Sequence, residues 1–448
     1  MKRFLLTLML VATVVSVSAQ RRPDSMSEYR RSSLYSLLIT HSKMDYSSEI
    51  STAFNAMPLP DKFNDHSLAI SSFESSVAKP KEKADSKKKH TANFTDINNF
   101  LLTNNIAKQM VAKWYNRDAE TGLCNRNLIN ERGLYDASQQ DIELADESIY
   151  GRAQLGDQGE DLIRNTYVIF NDITFSDKGK KSEGAAIGLA IFGGIVAAVT
   201  GIDAVSDAAN LAATAVNEID GFRVNVTSYL YRLVWNDETR DCFESNYYVS
   251  ARMDEETRTA RKLAFDALQG EDCPFKLEYV GFSTAHGGIT TSKSFSEKSK
   301  SEQMLIACAR GVDNAIVELQ RTYEEFKVNT PIYQVNDDGT VDVKIGLKEG
   351  VNSKSVYNVL QEVQDEEGNI SYKVIGTIVP IEGKIWDNRF GALEEAEALK
   401  ADPDAKQSEE AKEGNAYLTA TTFKVRSGNS ANFIGCVVRE AKIGDEKK

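Results

Sequence analysis

The sequence predicts an α+β protein: an α/β sheet domain with an apolar helical insertion, followed by a small antiparallel β-barrel or sandwich module. Three observations carry that expectation. Residues 98–328 alternate stretches of helical periodicity with long runs of β-branched and aromatic residues. Residues 332–448 hold short alternating runs divided by hairpin-type turns, Asn336-Asp337-Asp338-Gly339 and Asp365-Glu366-Glu367-Gly368-Asn369. Between two of the long strands lies Gly184–Ile202, GAAIGLAIFGGIVAAVTGI, which carries no charge.

At the start of the chain, Lys2 and Arg3 precede the apolar run Phe4–Val15, and Val17-Ser18-Ala19 offers small residues before Gln20. A positive head, a short apolar core and a small-x-small exit predict a signal peptide over 1–19. The run falls short of the roughly 20 apolar residues that span a bilayer. The expectation is an exported protein. Gln20 stands where a lipoprotein would need cysteine, so no lipid anchor is expected.

The net charge is −13, and it becomes more negative once Lys2 and Arg3 leave with the leader. Such a field repels polyanions, so no nucleic-acid partner is expected. The five cysteines are Cys124, Cys242, Cys273, Cys308 and Cys436. That is too few for a disulfide scaffold, and an odd number leaves one thiol over. Cys242 and Cys273 flank one predicted helix and form the candidate disulfide; buried free thiols are the other reading. No CxxC occurs, and no zinc site is expected.

Residues 20–97 read as an N-terminal segment. Within it Ser32–Thr40 (SSLYSLLIT) reads as a strand and Pro58-Leu59-Pro60-Asp61 as a turn. The Lys-rich stretch 79–90 (KPKEKADSKKKH) has no large apolar residue and reads as a solvated linker, with a polyanion-binding patch as the alternative.

In the α/β domain over 98–328, Phe100, Leu101, Ile106, Met110, Val111 and Trp114 recur at helical spacing and form one apolar stripe. Ser138 and Asp141 predict the capped start of a second helix running to Ser148. Tyr167–Phe175 reads as a strand, and Phe222–Trp235 as a half-buried antiparallel one. A helix over Ala251–Leu268 and a strand over Lys276–Phe282 follow. The last helix, Ser299–Phe326, places Met304, Leu305, Cys308, Val312, Ile316, Leu319, Tyr323 and Phe326 on one side, and Asn329-Thr330-Pro331 stops it. In the C-terminal module the expected strands are Val341–Ile345, Ser355–Val363, Tyr372–Pro380, Tyr417–Val425 and Phe433–Arg439. Leu393–Gly414 reads as one helix and an acidic loop.

The uncharged stretch reaches the lower edge of membrane-helix length. Gly184 and Gly188 form a GxxxG, Gly193, Gly194 and Gly201 add small positions for close approach, and Phe192 sits among them. Residues 203–219 continue as an amphipathic stretch. Three readings compete: a buried helical hairpin, a membrane-inserting or peripheral segment, and a self-association surface. Its many glycines and its position between two pairing strands disfavour a single crossing.

Arg126–Phe175 contains Asn130-Glu131-Arg132-Gly133, then Gly151-Arg152-Ala153-Gln154-Leu155-Gly156, Leu162-Ile163 and a strand. This order resembles the core of the curli secretion-channel (CsgG-like) and TolB N-terminal family. Val343–Val351 with Val374–Pro380 resembles the small barrel of flagellar assembly T proteins, with a long acidic insertion after Trp386-Asp387-Asn388-Arg389 as a departure. Both resemblances imply a non-catalytic role in the periplasm or at the outer-membrane periphery of a Gram-negative bacterium, with other envelope proteins as partners. The curli subunit is lipid-anchored and this chain has no such cysteine, which separates it from channel formation.

Catalytic signals are sparse. The four histidines, His41, His66, His90 and His286, include no pair four residues apart, so an HExxH metal site is absent. Gly281–Gly288 places Ser283 and His286 near a glycine pair, but the spacing fits no triad. The acidic groups Glu143/Asp146 and Asp254/Glu255/Glu256 read as solvated helix faces. No P-loop or dinucleotide fingerprint occurs. No catalytic, cofactor-binding or metal-ligating residue is assigned, and no small-molecule substrate is identified. The expected function is a secreted structural or assembly component of the cell envelope, acting by protein contacts or self-association through 184–219, with peripheral membrane contact as a further possibility. A glycan- or peptide-binding module using Tyr229, Tyr231, Tyr247 and Tyr248 is the alternative, and a hydrolase the third.

Overall fold

A computed structural model describes residues 32–76, 93–136, 162–177, 222–287, 298–364, 370–401 and 413–441. The expected leader, the Lys-rich stretch 79–90, the helix at 138–148 and the apolar insertion 184–219 lie outside them, as do the turn 365–369 and the acidic loop 402–412. The architecture is mixed α and β.

The first module opens with β1 (Ser32–Thr40), α1 (Ser47–Ala56), β2 (Phe63–Asp65) and β3 (Ser72–Glu74). Helices α2 (Phe94–Thr103), α3 (Ile106–Trp114) and α4 (Asn127–Asp136) lead to β4 (Thr166–Asp177) and β5 (Phe222–Leu233). Then come α5 (Asp237–Asn246), α6 (Glu255–Ala267), β6 (Leu277–Gly287) and α7 (Lys300–Thr322). The second module comprises β7 (Thr330–Val335), β8 (Val341–Val343), β9 (Tyr357–Gln364), β10 (Ile370–Pro380), β11 (Ile385–Trp386), α8 (Ala392–Ala401), β12 (Gly414–Asn415), β13 (Thr421–Ser427) and β14 (Val437–Glu440).

The main sheet has the order β2-β1-β4-β5-β6, with β3 also beside β1. β1 is parallel to β2, β3 and β4, whereas β4, β5 and β6 are antiparallel in turn. The sheet thus takes in β1, β2 and β3, which lie within the stretch 20–97. β1 lies inside the sheet, paired with β4 from Ser33↔Thr166 to Ile39↔Asp172. The reason is its apolarity on both faces: Tyr35, Leu37 and Ile39 enter one core and Leu34 and Leu38 the other. A strand apolar on both faces needs a cover on each.

Helices supply those covers. One face packs Ile97, Leu101, Ile106, Met110, Val111 and Trp114 of α2 and α3, with Phe243 and Phe265, against β1, β4 and β5. The other packs Ile50, Ala53 and Phe54 of α1 and Cys308, Val312, Ile316 and Leu319 of α7. β5 is thereby buried on both faces, with Tyr229 and Tyr231 on one and Val224, Val226 and Leu230 on the other, where alternation predicted half-burial. The single stripe expected over 100–114 is divided into α2 and α3 at Asn104-Asn105, where Asn105 takes φ +48°, a conformation asparagine tolerates better than most residues.

α7 starts on a capping box in which Ser299 and Glu302 satisfy each other's backbone donors. It ends at Thr322, short of the expected Phe326; a 3₁₀ turn over Glu324–Phe326 then drives Phe326 onto Phe63 and Tyr167. β7 was not anticipated, because Pro331 reads as a breaker. It is accommodated as the second residue of its strand.

In the second module β10-β13-β8-β7-β14-β9 hydrogen-bond in a closed barrel around Val341, Val343, Val359, Ile378, Phe423, Phe433 and Val438. Closure leaves no unpaired edge. Gly376 lies at a bulge of β10, where an added Cβ would stand 2.4 Å from the Phe433 ring and 2.6 Å from the Ser427 carbonyl. Arg321 of α7 joins the modules through Glu440 (2.9 Å) and the Gly350 carbonyl (3.0 Å).

Candidate functional site

The sheet brings the flanks of several chain segments to one end. β1, β3 and β4 run in the same direction and finish toward that end, antiparallel β5 starts there, and β6 finishes there at Gly287. Asp177 pairs with Phe222 across the β4–β5 ladder, so the two flanks of 178–221 are direct neighbours. Ser76 and Asn93, which flank 77–92, are tied together through the same region.

The tie is a buried polar network. Ser75 Oγ donates toward Asn93 Oδ1 (2.9 Å) and Asp96 Oδ2 (2.8 Å), and the Ser76 N–H donates to Asp96 Oδ2 at 2.6 Å. Asp96 lies in the first turn of α2, where a carboxylate complements the helix dipole. Asn93 Nδ2 donates to Asp172 Oδ2 at 2.6 Å and to Tyr229 Oη at 3.2 Å. The other Asp172 oxygen lies 3.1 Å from His41 Nε2. A carboxylate taken out of water is tolerated only when its oxygens are satisfied, and Asp172 has a partner on each. Nearby, burial raises the Glu74 carboxyl slightly, but the Ser42 N–H and the Thr40 hydroxyl outweigh it and hold the group below the usual carboxylate range.

This network ties backbone segments together and is closed to solvent. His41 is 5% exposed and Asp172 3%, and the cavity beside His41 is about 10 Å³, room for one water at most. What the network does is bind β1, the β3–α2 connection, β4 and β5 into one rigid root. Sequence reasoning missed it because His41 and Asp172 lie far apart in the chain. The one available signal was Asn171-Asp172, two polar residues inside the apolar run Tyr167–Phe175.

Arg132, from the Asn-Glu-Arg-Gly element, is buried within a second cluster. Its Nη1 donates to Ser33 Oγ (2.8 Å) and to His66 Nδ1 (3.1 Å), its Nη2 donates to the Asp65 carbonyl (2.7 Å), and the guanidinium lies 4.5 Å from the Trp114 ring centroid. His66 Nε2 faces the Met110 carbonyl at 3.0 Å. That acceptor places the imidazole proton on Nε2 and leaves Nδ1 to accept from arginine. Burial, then the Arg132 charge, keep His66 neutral, well below its usual range. The motif residue is therefore a positioning cation between α4, β1 and β2.

The other expected sites resolve as follows. The six candidate contact residues, Gly184, Gly188, Phe192, Gly193, Gly194 and Gly201, lie outside the described residues. All five cysteines are free thiols. Of the two readings of Cys242 and Cys273, the structure has the free thiols; burial, with the Cys242 charge as a smaller contribution, raises the Cys273 pKa. Burial pushes Cys308 up to about 12. Thiolate, not thiol, alkylates, so iodoacetamide should label half-buried Cys242 in the native protein and Cys308 only after unfolding, as read by peptide mass spectrometry. Cys242 labelling that needs prior reduction would restore the bridge.

Ser283 and His286 do not meet. Three residues apart on β6, they face opposite sides, and Ser283 Oγ donates to the Ala315 carbonyl at 2.8 Å. Tyr229 and Tyr231 are core residues, Tyr248 packs half-buried against Phe243, and Tyr247 half-buried against Phe265 and Phe275. Asp254 caps α6 by accepting from the Thr257 N–H at 2.8 Å, a structural role; Glu143 and Asp146 lie outside the described residues. Among the described residues no grouping of His, Cys, Asp and Glu could hold a metal ion, and no helix is long and apolar enough to cross a membrane.

No protein-family model matches the chain, and no curated protein matches it.

Proposed function

We propose that this protein is an exported, non-catalytic component of the cell envelope, and that its work is contact made through the segment 184–219, which opens on the charge-free stretch 184–202. The observation that carries this reading is the Asp177↔Phe222 pair, which roots both flanks of that segment on one rung of the antiparallel β4–β5 ladder. A chain that leaves and re-enters a sheet at one point can project without disturbing the strands beneath it. The His41–Asp172–Asn93 network supports the reading because it stiffens that root. The described residues flanking 77–92 and 178–221 come to the same end of the sheet, and a Lys-rich sequence beside a charge-free one suits an anionic envelope surface and its proteins.

The test replaces 184–216 with a short Gly-Ser linker. The shortened protein should unfold at the parent's temperature and leave the outer-membrane or oligomer fraction that the parent occupies after a high-salt wash. Identical fractionation of parent and variant would end the proposal.

A further inference from the structure

A cavity of about 260 Å³ opens where α1 and α7 of the sheet domain meet the barrel module. Its walls are apolar, from Phe54, Met57, Leu59, Val312 and Phe390, and its polar lining includes Asp313, Lys348 and Asp61. The two cationic groups nearest Asp313 are already engaged. Lys348 Nζ lies 3.2 Å from Asp61 Oδ2. Arg310 is held 3.0 Å from Glu395 and donates to the Phe390 carbonyl at 2.9 Å. The Asp313 carboxyl has no hydrogen bond or ion pair with any described residue, although it lies in the wall of the cavity.

We propose that this cavity binds a small alkylammonium: a hydrocarbon body of about four to six carbons against the apolar wall and a primary ammonium on the Asp313 carboxylate. The size argument is direct, since ligand pockets usually span about 300–1,000 Å³ and this one falls just below that range. The charge argument is equally direct. The cavity lining holds two carboxylates, Asp61 and Asp313, against one ammonium, Lys348, which both of them share, while Arg310 is held by Glu395; the lining is therefore net negative, and an anionic ligand would be repelled by it. Such a ligand would touch both modules and couple their placement.

The proposal implies a pH dependence. Burial pushes the Asp313 carboxyl up to about 7; Glu349 and Asp61 add to that rise, while Lys348 and Arg310 oppose it. The carboxyl is therefore largely neutral at pH 6 and ionised at pH 8, and affinity for an ammonium should strengthen about tenfold from pH 6 to pH 8.

The experiment is calorimetric titration of the full chain with hexylammonium chloride, 1-hexanol and sodium hexanoate at pH 6 and 8. Hexylammonium should bind at pH 8 at least tenfold more tightly than hexanol, and hexanoate should not bind. Asp313→Asn should reduce hexylammonium to the hexanol level and remove the pH dependence. Lys348→Met removes a competing cation and should tighten binding severalfold, an increase that a poorly folded variant would not give. Equal binding of hexylammonium and hexanol to the parent, or weakened binding in Lys348→Met, would overturn the proposal.

Discussion

Arg132→Leu should cost about 3 kcal/mol of unfolding free energy, read by urea denaturation, because two buried acceptors and a third, partly buried one lose their donor at once. A buried donor or acceptor left without a partner costs about 1–3 kcal/mol. Replacing a buried ion by a hydrophobe can be neutral when both members of a pair are replaced together. Here the acceptors are Ser33 Oγ, His66 Nδ1 and the Asp65 carbonyl, on separate parts of the fold, and leucine satisfies none of them. The same substitution removes a positive charge that depresses His66, so the imidazole pKa should rise in a proton NMR titration. Arg132→Lys keeps the charge but loses the planar fork and should fall between parent and leucine variant. A leucine variant as stable as the parent would mean that the cluster contributes nothing to the fold.

The second large effect is expected at Gly281. A Cβ added there would stand 2.0 Å from the Tyr323 ring and hydroxyl. That ring cannot swing aside freely, since its hydroxyl accepts from the Phe282 N–H at 2.9 Å and donates to the Phe282 carbonyl at 3.1 Å. Gly281 also adjoins the bulge where the β5–β6 register shifts after Leu230, a place where strands admit close approach. Gly281→Ala should destabilise by about 3 kcal/mol, the upper end for overpacking a well-filled site. In a Tyr323→Ala background the cost should nearly vanish, since residues in contact couple strongly in such cycles. Equal costs in both backgrounds would show that the strain lies elsewhere.

Much of the secondary structure was legible before any coordinates. Ser32–Thr40 is strand over the span its sequence suggested, and β5 begins at Phe222 as expected. These segments are long and strongly patterned, so local preference and tertiary demand agree. β7 was hidden because proline reads as a breaker wherever its neighbours are unknown; only the position of Pro331 near the start of a strand, opposite Val437, makes it acceptable. The α2–α3 break was hidden for a different reason. Apolar spacing at 100–114 continues across Asn104-Asn105, and periodicity registers which side is buried, not whether the axis bends.

Candidate sites divide in the same manner. The uncharged stretch 184–202 and the Lys-rich stretch 79–90 are properties of composition, visible in the string of residues. The cavity with Asp313, the His41–Asp172 pair and the Arg132 cluster each join residues from distant parts of the chain. No local pattern records such pairings.

By itself the sequence determined the two modules' contrasting character, the strand and helix segments, and the charge-free segment, because these depend on composition and on spacing along the chain. The tertiary structure decided that β1 belongs inside the main sheet, that β5 is covered on both faces, and that Asp172 and Arg132 are buried with partners. The physical reason is that burial is a property of what lies across the fold: a strand's second face, or a carboxylate's second oxygen, finds its partner in space.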